Sequence, residues 1–222
     1  MNAWMKWTVL LAVPAVLGCS TDSKPTTDAA PQVYTTFYPT TYFTQRIGAA
    51  HVEVVCPLPE DADPIFWKPP AATIEAYQEA DLIVINGAGF ERWVKRVSLP
   101  SSKLVDTAEP LKESFLKFAG AATHSHGAGD HHSHEGTDGH TWLDPAHAKV
   151  QAEEICKALQ SELPEHADEF QASYAALAAD LDALDQSLGK LSVALGDAHL
   201  LASHPAYNYI VERYGWNLTN LD

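Results

Sequence analysis

The sequence is short of positive charge, of cysteine and of long apolar runs. It has 14 Lys and Arg against 29 Asp and Glu in 222 residues, a formal net charge of −15. Such a surface repels nucleic acid, so nucleic-acid binding is set aside. Three cysteines do not make a disulfide framework. Hydrophobic residues make up 46% and charged residues 19%, which excludes global disorder and predicts a packed core.

The signatures of common hydrolases are also missing. Neither His-Glu-x-x-His nor Gly-x-Ser-x-Gly occurs in the sequence. The His-x-His-x-Asp-His pattern of metallo-β-lactamases is not met, because three residues separate His126 from Asp130. A zinc hydrolase is therefore the least favoured interpretation, and we expect the chain not to be an enzyme.

The first residues have the pattern of an export signal. Lys6 precedes a run from Trp7 to Leu17 without charge, and neither this run nor any later segment reaches the roughly 18 apolar residues of a membrane span. The run ends in Val-Leu-Gly-Cys-Ser around Cys19, which resembles the lipobox of bacterial lipoproteins. We expect a signal peptide over 1–18, lipidation of Cys19 and a flexible tether over 19–31. The alternative is an ordinary cleavable signal with an incidental cysteine.

Short apolar runs then alternate with helical patterns. This alternation predicts an α/β fold, with parallel sheets covered by helices on both faces. The predicted strands are Val33–Phe37, His51–Cys56, Asp81–Ile85 and Lys103–Asp106, and the predicted helices are Thr40–Ala49, Ala71–Ala80 and Phe90–Val97.

A second group of elements follows. Asp144-Pro145 has the residues of a helix start, with Asp as N-cap and Pro at the first helical position, and this helix runs to about Ser161. A pattern from Glu165 to Leu195 predicts a helix of roughly 45 Å. A strand at His199–Ser203, a helix at Pro205–Tyr214 and a strand at Trp216–Leu221 come after it. We expect an N-terminal lobe over 32–164, a linking helix over 165–197 and the start of a second lobe over 198–222, which the chain does not complete.

Histidine is concentrated in one segment. Residues 124–139 contain Gly, Ser, Asp, Glu and His without apolar periodicity, so we expect an irregular, mobile loop. Neutral imidazole is a common ligand of zinc, copper and nickel, so the segment is a candidate for weak metal capture. A solvated insertion without a metal role is the alternative. The candidate ligands in this loop are His124, His126, His131, His132 and His134.

Two further histidines lie at helix entries. His140 precedes Asp144-Pro145, and His204 comes between a predicted strand and Pro205. Ligands of open α/β sheets bind beyond the carboxyl ends of strands, so the two imidazoles could meet in a cleft between lobes. A lone histidine at such a turn is more often a cap or a satisfied polar residue.

Together these segments resemble the zinc- and manganese-specific substrate-binding proteins of bacterial ABC transporters. The resemblance is carried by His140-Thr-Trp-Leu-Asp-Pro145, by His204-Pro-Ala-Tyr-Asn-Tyr209 with Tyr214-Gly-Trp216, and by the histidine-rich insertion before the first. The stretch Ala80–Glu91 also fits. The resemblance implies two α/β lobes joined by a long rigid helix, with metal held between them by His140 and His204. It also implies delivery of the metal to a permease and ATPase complex.

The chain departs from the family pattern at two places. The family usually has a histidine after an Asp-Pro pair near the second strand, where this chain has Ile65. The family's fourth ligand would lie beyond Asp222. Because a tetrahedral site needs four donors, Asp63 or the histidine-rich loop would have to complete it, or affinity is lower.

Zinc is the expected metal, since imidazole-rich sites suit it, with manganese or another divalent metal as the alternative. We expect an exported, lipid-anchored protein of the periplasm or cell surface. A metal buffer or metallochaperone and an adhesin remain rival functions. Cys56 and Cys156 are either paired or two buried thiols.

Overall fold

A computed structural model describes residues 29–118, 122–125, 131–134 and 136–221, with the backbone alone for 122–125 and 131–134. Its main sheet has four parallel strands in the order β2-β1-β3-β4. Their bounds are Gln32–Thr35 for β1, Glu53–Val55 for β2, Leu82–Ile85 for β3 and Leu104–Asp106 for β4. The predicted signal peptide, Cys19 and His126 lie outside the described residues.

The central strand β3 explains why both faces of this sheet must be covered. All four of its residues, Leu-Ile-Val-Ile, are buried, as expected of a parallel strand between two helical layers. The chain passes from β1 to β2 on one side and returns to β3 on the other side of β1. The direction of strand progression therefore reverses between β1 and β3, where ligands of open α/β sheets bind.

The two faces of the sheet carry different helices. Val33, Leu82 and Val84 pack with one group of helices, and Ile83 and Ile85 pack with Tyr77 of another helix and with Trp93. This arrangement confirms the predicted α/β fold. The helices of the first face are α1 (Tyr38–Gly48), α3 (Pro145–Glu162) and α4 (Ala167–Leu195), and the second face carries α2 (Ala71–Glu79).

Helix α3 begins as its sequence predicts. Asp144 is the N-cap, and its carboxylate accepts a hydrogen bond from the backbone N–H of Ala146, while Pro145 occupies the first helical position. The cap satisfies a backbone donor that the first helical turn leaves without an intrahelical partner. The helix entry is therefore fixed next to His140.

Helix α4 is the predicted long helix. Its 29 residues span roughly 44 Å at 1.5 Å per residue. Its first half packs against α1 and α3 through Phe170, Leu177 and Leu181, whereas Leu191 and Val193 near its end are exposed. The helix extends beyond the main sheet and its helices, which we call the first unit. It also contacts a second unit.

The second unit contains β7 (Leu200–Ala202), α5 (Asn208–Tyr214) and β8 (Leu218–Asn220), with β7 and β8 parallel. Arg213 of α5 donates two hydrogen bonds to the Asp185 carboxylate on α4, at 2.7 and 2.9 Å, and its Nε lies 3.3 Å from Asp144. Hydrogen bonds from Arg213 and Tyr214 lower the pKa of Asp185 to about 2. This ionic cluster ties the second unit to α3 and α4.

Two sequence predictions are wrong in detail. The predicted helix Phe90–Val97 is only a 3₁₀ turn at Val94–Arg96. Its two aromatic residues are buried in different hydrophobic clusters, Phe90 beside Phe37 and Trp93 beside Tyr77. This tertiary packing prevails over the local helical pattern.

The histidine-rich segment is also more regular than expected. Strands β5 (Ala122–Ser125) and β6 (His131–His134) pair antiparallel, where we expected an irregular loop. A polar hairpin shows no apolar periodicity, which is why that criterion missed it. Cys56 and Cys156 are both free thiols, so they do not pair. Within the described residues, none of the helices combines the length and apolar character needed to cross a bilayer.

Candidate metal centre

A cleft opens at the carboxyl edge of the main sheet. Phe37 follows β1, Ile65 lies in the loop after β2, and Phe90 follows β3. The three side chains are buried together, with Trp142 packed against them. They form an apolar floor at the place where the strand order reverses.

His140 is held over this edge by the buried amide of Asn86. The Asn86 Nδ2 donates to the backbone carbonyl of Gly139 at 2.9 Å. Its Oδ1 accepts from Gln151 Nε2 of α3 at 2.9 Å and from the Thr141 hydroxyl at 3.4 Å. Asn86 directly follows β3, so the sheet and α3 together fix the backbone on either side of His140.

The turn after β3 is fixed by the buried carboxyl group of Glu91. It accepts hydrogen bonds from the Thr36 hydroxyl at 2.5 Å, from the Asn86 N–H at 2.7 Å and from the Gly87 N–H at 3.2 Å. Burial raises the pKa of Glu91, and these donors oppose the rise. The carboxyl group joins the ends of β1 and β3 beneath the cleft.

Gly139 allows the His140 segment to pack directly on Phe90. A Cβ atom at position 139 would lie 2.8 Å from the Phe90 Cβ and 3.0 Å from its Cα. The Cα is a backbone atom and the Cβ is bonded directly to it, so neither can move away by a side-chain rotation. A side chain at this position would lift the segment off the floor of the cleft.

The orientation of the His140 ring is set by Asp138. The fully buried Asp138 Oδ1 lies 2.6 Å from His140 Nδ1 and accepts the His140 backbone N–H at 2.9 Å. A carboxylate partner places the ring proton on Nδ1, which leaves Nε2 to coordinate a metal. Carboxylate and imidazole therefore have the relation common in histidine–metal sites.

Asp138 also contacts the second unit. Its Oδ2 accepts a hydrogen bond from Asn208 Nδ2 at 2.8 Å, and its backbone carbonyl accepts the Tyr209 hydroxyl at 2.9 Å. The Tyr209 oxygen in turn accepts the Leu116 N–H at 3.1 Å. One residue thus positions His140 and anchors the start of α5.

His204 reaches the same cleft from the second unit. It follows β7 at that strand's carboxyl end, and its ring centroid lies 5.6 Å from that of His140, with the planes at 80°. Two imidazoles on one tetrahedral zinc would have centroids roughly 5 Å apart, given a metal–nitrogen distance of about 2.0–2.1 Å. The structure therefore brings these two predicted residues together at a separation suited to one cation.

Acidic side chains line the rim of this cleft. It has a volume of about 590 Å³ and includes Glu60, Asp61 and Asp63 together with Ile65 and the two histidines. Ile65 is 8% exposed, and its backbone N–H donates to Asp63 Oδ1 at 2.8 Å. Position 65 is thus part of the site, and its side chain offers no donor atom.

A larger cleft of about 760 Å³ has the opposite charge. Four cationic side chains line it, against two carboxylates. These cationic residues are Arg92, Lys95, Arg96 and Lys112. Such a lining repels a metal ion, so the smaller cleft with its imidazoles is the better candidate.

A metal-binding role for the histidine-rich hairpin, which contains β5 and β6, stays a prediction. The backbone register pairs His124 with His132, and it places His131 and His134 on the same short ladder. His126 lies outside the described residues.

Sequence reasoning missed the residues that support His140. It included Asn86, Asn208 and Tyr209 only as parts of longer matching stretches, and it did not name Asp138. One local signal was present, because Asp138 and His140 are two residues apart, a spacing that lets a carboxylate reach the ring. The contacts from Asn86, Asn208 and Tyr209 span more than 50 residues and carry no such signal.

Replacing Asp138 with Asn is expected to lower zinc affinity about 10–100-fold, because an amide fixes Nδ1–H less strongly and makes His140 a weaker ligand. The measurement is competition with a chelator of known affinity. Asn208→Ala is the matched control, since it removes the hydrogen bond to Oδ2 and leaves Oδ1 on His140. Unchanged affinity in Asp138→Asn would contradict this role.

His147 in the first turn of α3 predicts a pH effect on stability. Burial lowers its pKa, with Arg213 adding to the effect and Asp144 opposing it, and its Nδ1 is buried without a hydrogen-bond partner among the described residues. Its neutral form is therefore favoured in the folded state. Metal-free protein should lose stability as the pH falls from about 6.5, the ordinary histidine value, through the lowered pKa.

The variant His147→Gln should flatten that part of the stability profile, measured by urea unfolding between neutral and mildly acidic pH. His199→Gln is the control, because His199 is an exposed imidazole of the second unit. Equal slopes in the native chain and in His147→Gln would refute the assignment.

Comparison with known proteins identifies the family of the chain. The model of the family "Zinc-uptake complex component A periplasmic" matches residues 33–221. A Chlamydia muridarum relative with only a general metal-binding description is 29% identical over 193 residues, covering 83% of this chain and 62% of the relative. The manganese-binding lipoprotein MntA of Halalkalibacterium halodurans is 24% identical over 187 residues, covering 80% of this chain and 55% of MntA.

A solved structure gives the same fold. The crystal structure of a zinc-bound ZnuA deletion mutant is 27% identical, with a TM-score of 0.69, and the match covers 87% of this chain and 70% of that one. The chain spans less than two thirds of the length of the two curated relatives. Matched over nearly all of its described residues, the chain belongs to the periplasmic zinc-uptake component A family, whose members are metal-binding components of uptake systems and not enzymes.

Proposed function

We propose that the chain is the exported, lipid-anchored metal receptor of an ABC importer, and that zinc is its cargo. The observation that carries this proposal is the pair of imidazoles, His140 and His204, 5.6 Å apart and contributed by two different units of the molecule. A carboxylate behind one of them and an acidic rim around both make the cleft suited to a divalent cation.

Zinc is favoured over manganese by the two nitrogen donors, since manganese prefers oxygen ligands. Because Ile65 supplies no donor, we propose that a carboxylate oxygen takes one of the remaining positions, and Glu60, Asp61 and Asp63 line the cleft. Zinc accepts carboxylate oxygens at about 2.0–2.2 Å, so a mixed nitrogen and oxygen site is compatible with it. The affinity would be lower than that of a site with three imidazoles.

The histidine-rich hairpin is proposed to gather metal for the cleft. The five histidines of residues 124–134 offer interchangeable ligands, which favours fast, weak binding. The segment ends just before Asp138 and His140, so captured metal is released next to the stronger site. Loss of the hairpin should slow loading more than it lowers final affinity.

Attachment at the membrane is proposed to go through Cys19. The sequence around it resembles a lipobox, and residues 20–31 have the composition of a flexible tether. A tethered receptor stays close to its permease, which raises its effective concentration there.

Delivery is tested by reconstitution of the chain with the permease and ATPase of a zinc importer from the same organism. ATP-driven uptake of radioactive zinc into proteoliposomes should require the zinc-loaded chain, and His140→Ala with His204→Ala should abolish it. If the chain binds zinc tightly and uptake does not depend on it, the protein is a metal buffer and the receptor proposal fails.

A further inference from the structure

Three potential metal ligands meet at the edge of the sheet opposite the cleft. His51 precedes the amino end of β2, His166 ends the 3₁₀ turn before α4, and Glu169 lies in the first turn of α4. One ligand atom from each residue lies within 4.8 Å of the other two. None of the three lines the cleft that contains His140 and His204.

The three side chains of this group contact one another. His51 Nε2 lies 3.0 Å from Glu169 Oε2, and His166 Nδ1 lies 3.1 Å from Glu169 Oε1. The two imidazole rings stack with their centroids 3.7 Å apart. Each histidine therefore uses a different oxygen of the same carboxylate, and all three polar groups point to one small volume.

The surroundings hold the group in place. The His51 ring packs edge-on against the ring of Phe170, which is fully buried, at 5.7 Å between centroids, and His166 contacts the same ring at 6.2 Å. The backbone N–H of His51 donates to the Gly48 carbonyl, and that of His166 donates to the Leu163 carbonyl. The side chains are 24% exposed for His51 and 32% for His166, so a hydrated ion can reach them.

We propose that His51, His166 and Glu169 form a second, peripheral site for a divalent transition metal, with zinc as the ion that its chemistry favours. In a tetrahedral zinc site the ligand atoms lie roughly 3.3 Å apart, since each is about 2.0–2.2 Å from the metal. The observed contacts of 3.0 and 3.1 Å to Glu169 are close to this spacing. The stacked rings, with centroids 3.7 Å apart, would have to separate to roughly 5 Å, so binding requires the two partly exposed imidazoles to rotate. Two imidazoles and one carboxylate leave a fourth position for water.

A metal at this site joins parts of the chain that are distant in sequence. His51 belongs to the connection between α1 and β2, whereas His166 and Glu169 belong to the base of α4. The ion therefore clamps the long helix to the first unit. Its affinity should be below that of the cleft, because the ligands are partly exposed and one of them, Glu169, has a 63% exposed side chain.

The test counts zinc equivalents in the complete chain with the five hairpin histidines changed to Asn, which removes their competing binding. Calorimetry should give two equivalents, the weaker one lost or weakened at least tenfold by His51→Gln and by His166→Gln. The imidazole nuclear magnetic resonance signals of His51 and His166 should shift as the weaker site fills. His199→Gln, which removes an exposed histidine elsewhere, should change nothing.

Two further variants separate this site from the cleft. Replacing His140 and His204 with Ala should remove the tighter equivalent and leave the weaker one, whether or not the chain serves a transporter. Glu169→Gln keeps the size of the side chain and should weaken the peripheral site alone. A parent chain with one equivalent only, or a weaker equivalent that survives His51→Gln and His166→Gln together, would overturn the proposal.

Discussion

Zinc affinity should fall by more than about 100-fold when His140 and His204 are both replaced with Ala. Even the loss of a partner behind a metal ligand costs about 10–100-fold, so removing the ligands themselves should cost more. The expected cause is direct, because the two rings are the proposed nitrogen donors of the cleft, with their centroids 5.6 Å apart. Competition titration of the metal-free chain measures the effect.

Two controls make this result specific. His199→Ala removes an exposed imidazole whose Nε2 pairs with the Thr219 hydroxyl, and it should leave affinity unchanged. Deletion of residues 124–134 should cost much less than the double replacement. The reverse ranking would move the principal site into the histidine-rich hairpin. In the native chain, affinity should also decline as the pH drops below about 6, since coordination needs neutral imidazoles.

Zinc affinity should rise at least tenfold in the variant Ile65→His. Position 65 lines the same cleft as His140 and His204, and its backbone is fixed by the hydrogen bond to Asp63. A third imidazole there would replace a weaker oxygen donor or water in the coordination sphere. The gain should be larger for zinc than for manganese, because the added donor is nitrogen.

The same substitution should lower the stability of the metal-free chain. Ile65 is buried with Phe37 and Phe90, so a polar ring should destabilise the metal-free chain by about 1–3 kcal/mol. Ile65→Gln is the matched control, since it loses the same packing without adding a nitrogen ligand. If Ile65→His binds zinc no better than Ile65→Gln, position 65 does not face the metal.

Local signals account for the parts of the fold that the sequence predicts well. The short, mostly β-branched run Leu-Ile-Val-Ile at 82–85 favours a strand buried on both faces, and Asp144-Pro145 specifies a helix start within two residues. Phe90–Val97 has the same kind of local pattern and failed, because Phe90 and Trp93 are drawn to different clusters. Distant packing cannot be inferred from a short window.

The candidate site also combines features that the local sequence predicts with contacts that it does not. Position in the chain and resemblance identify His140 and His204, but neither gives the distance between the rings. The supporting contacts of Asp138 cross from residue 138 to residues 208 and 209, and only the folded chain reveals them. The sequence predicts His51 only as the first residue of a strand, because its partners His166 and Glu169 lie 115 or more residues away.

The two oxygens of Asp138 have a consequence for metal release. One holds the His140 ring and the other holds Asn208 at the start of α5, while Tyr209 binds the carbonyl of the same residue. A displacement of α5 that broke both contacts would remove the support behind the carboxylate and leave only its Oδ1 on the His140 ring. We therefore expect movement of α5 and loosening of this metal ligand to be coupled, without a bend in the long helix.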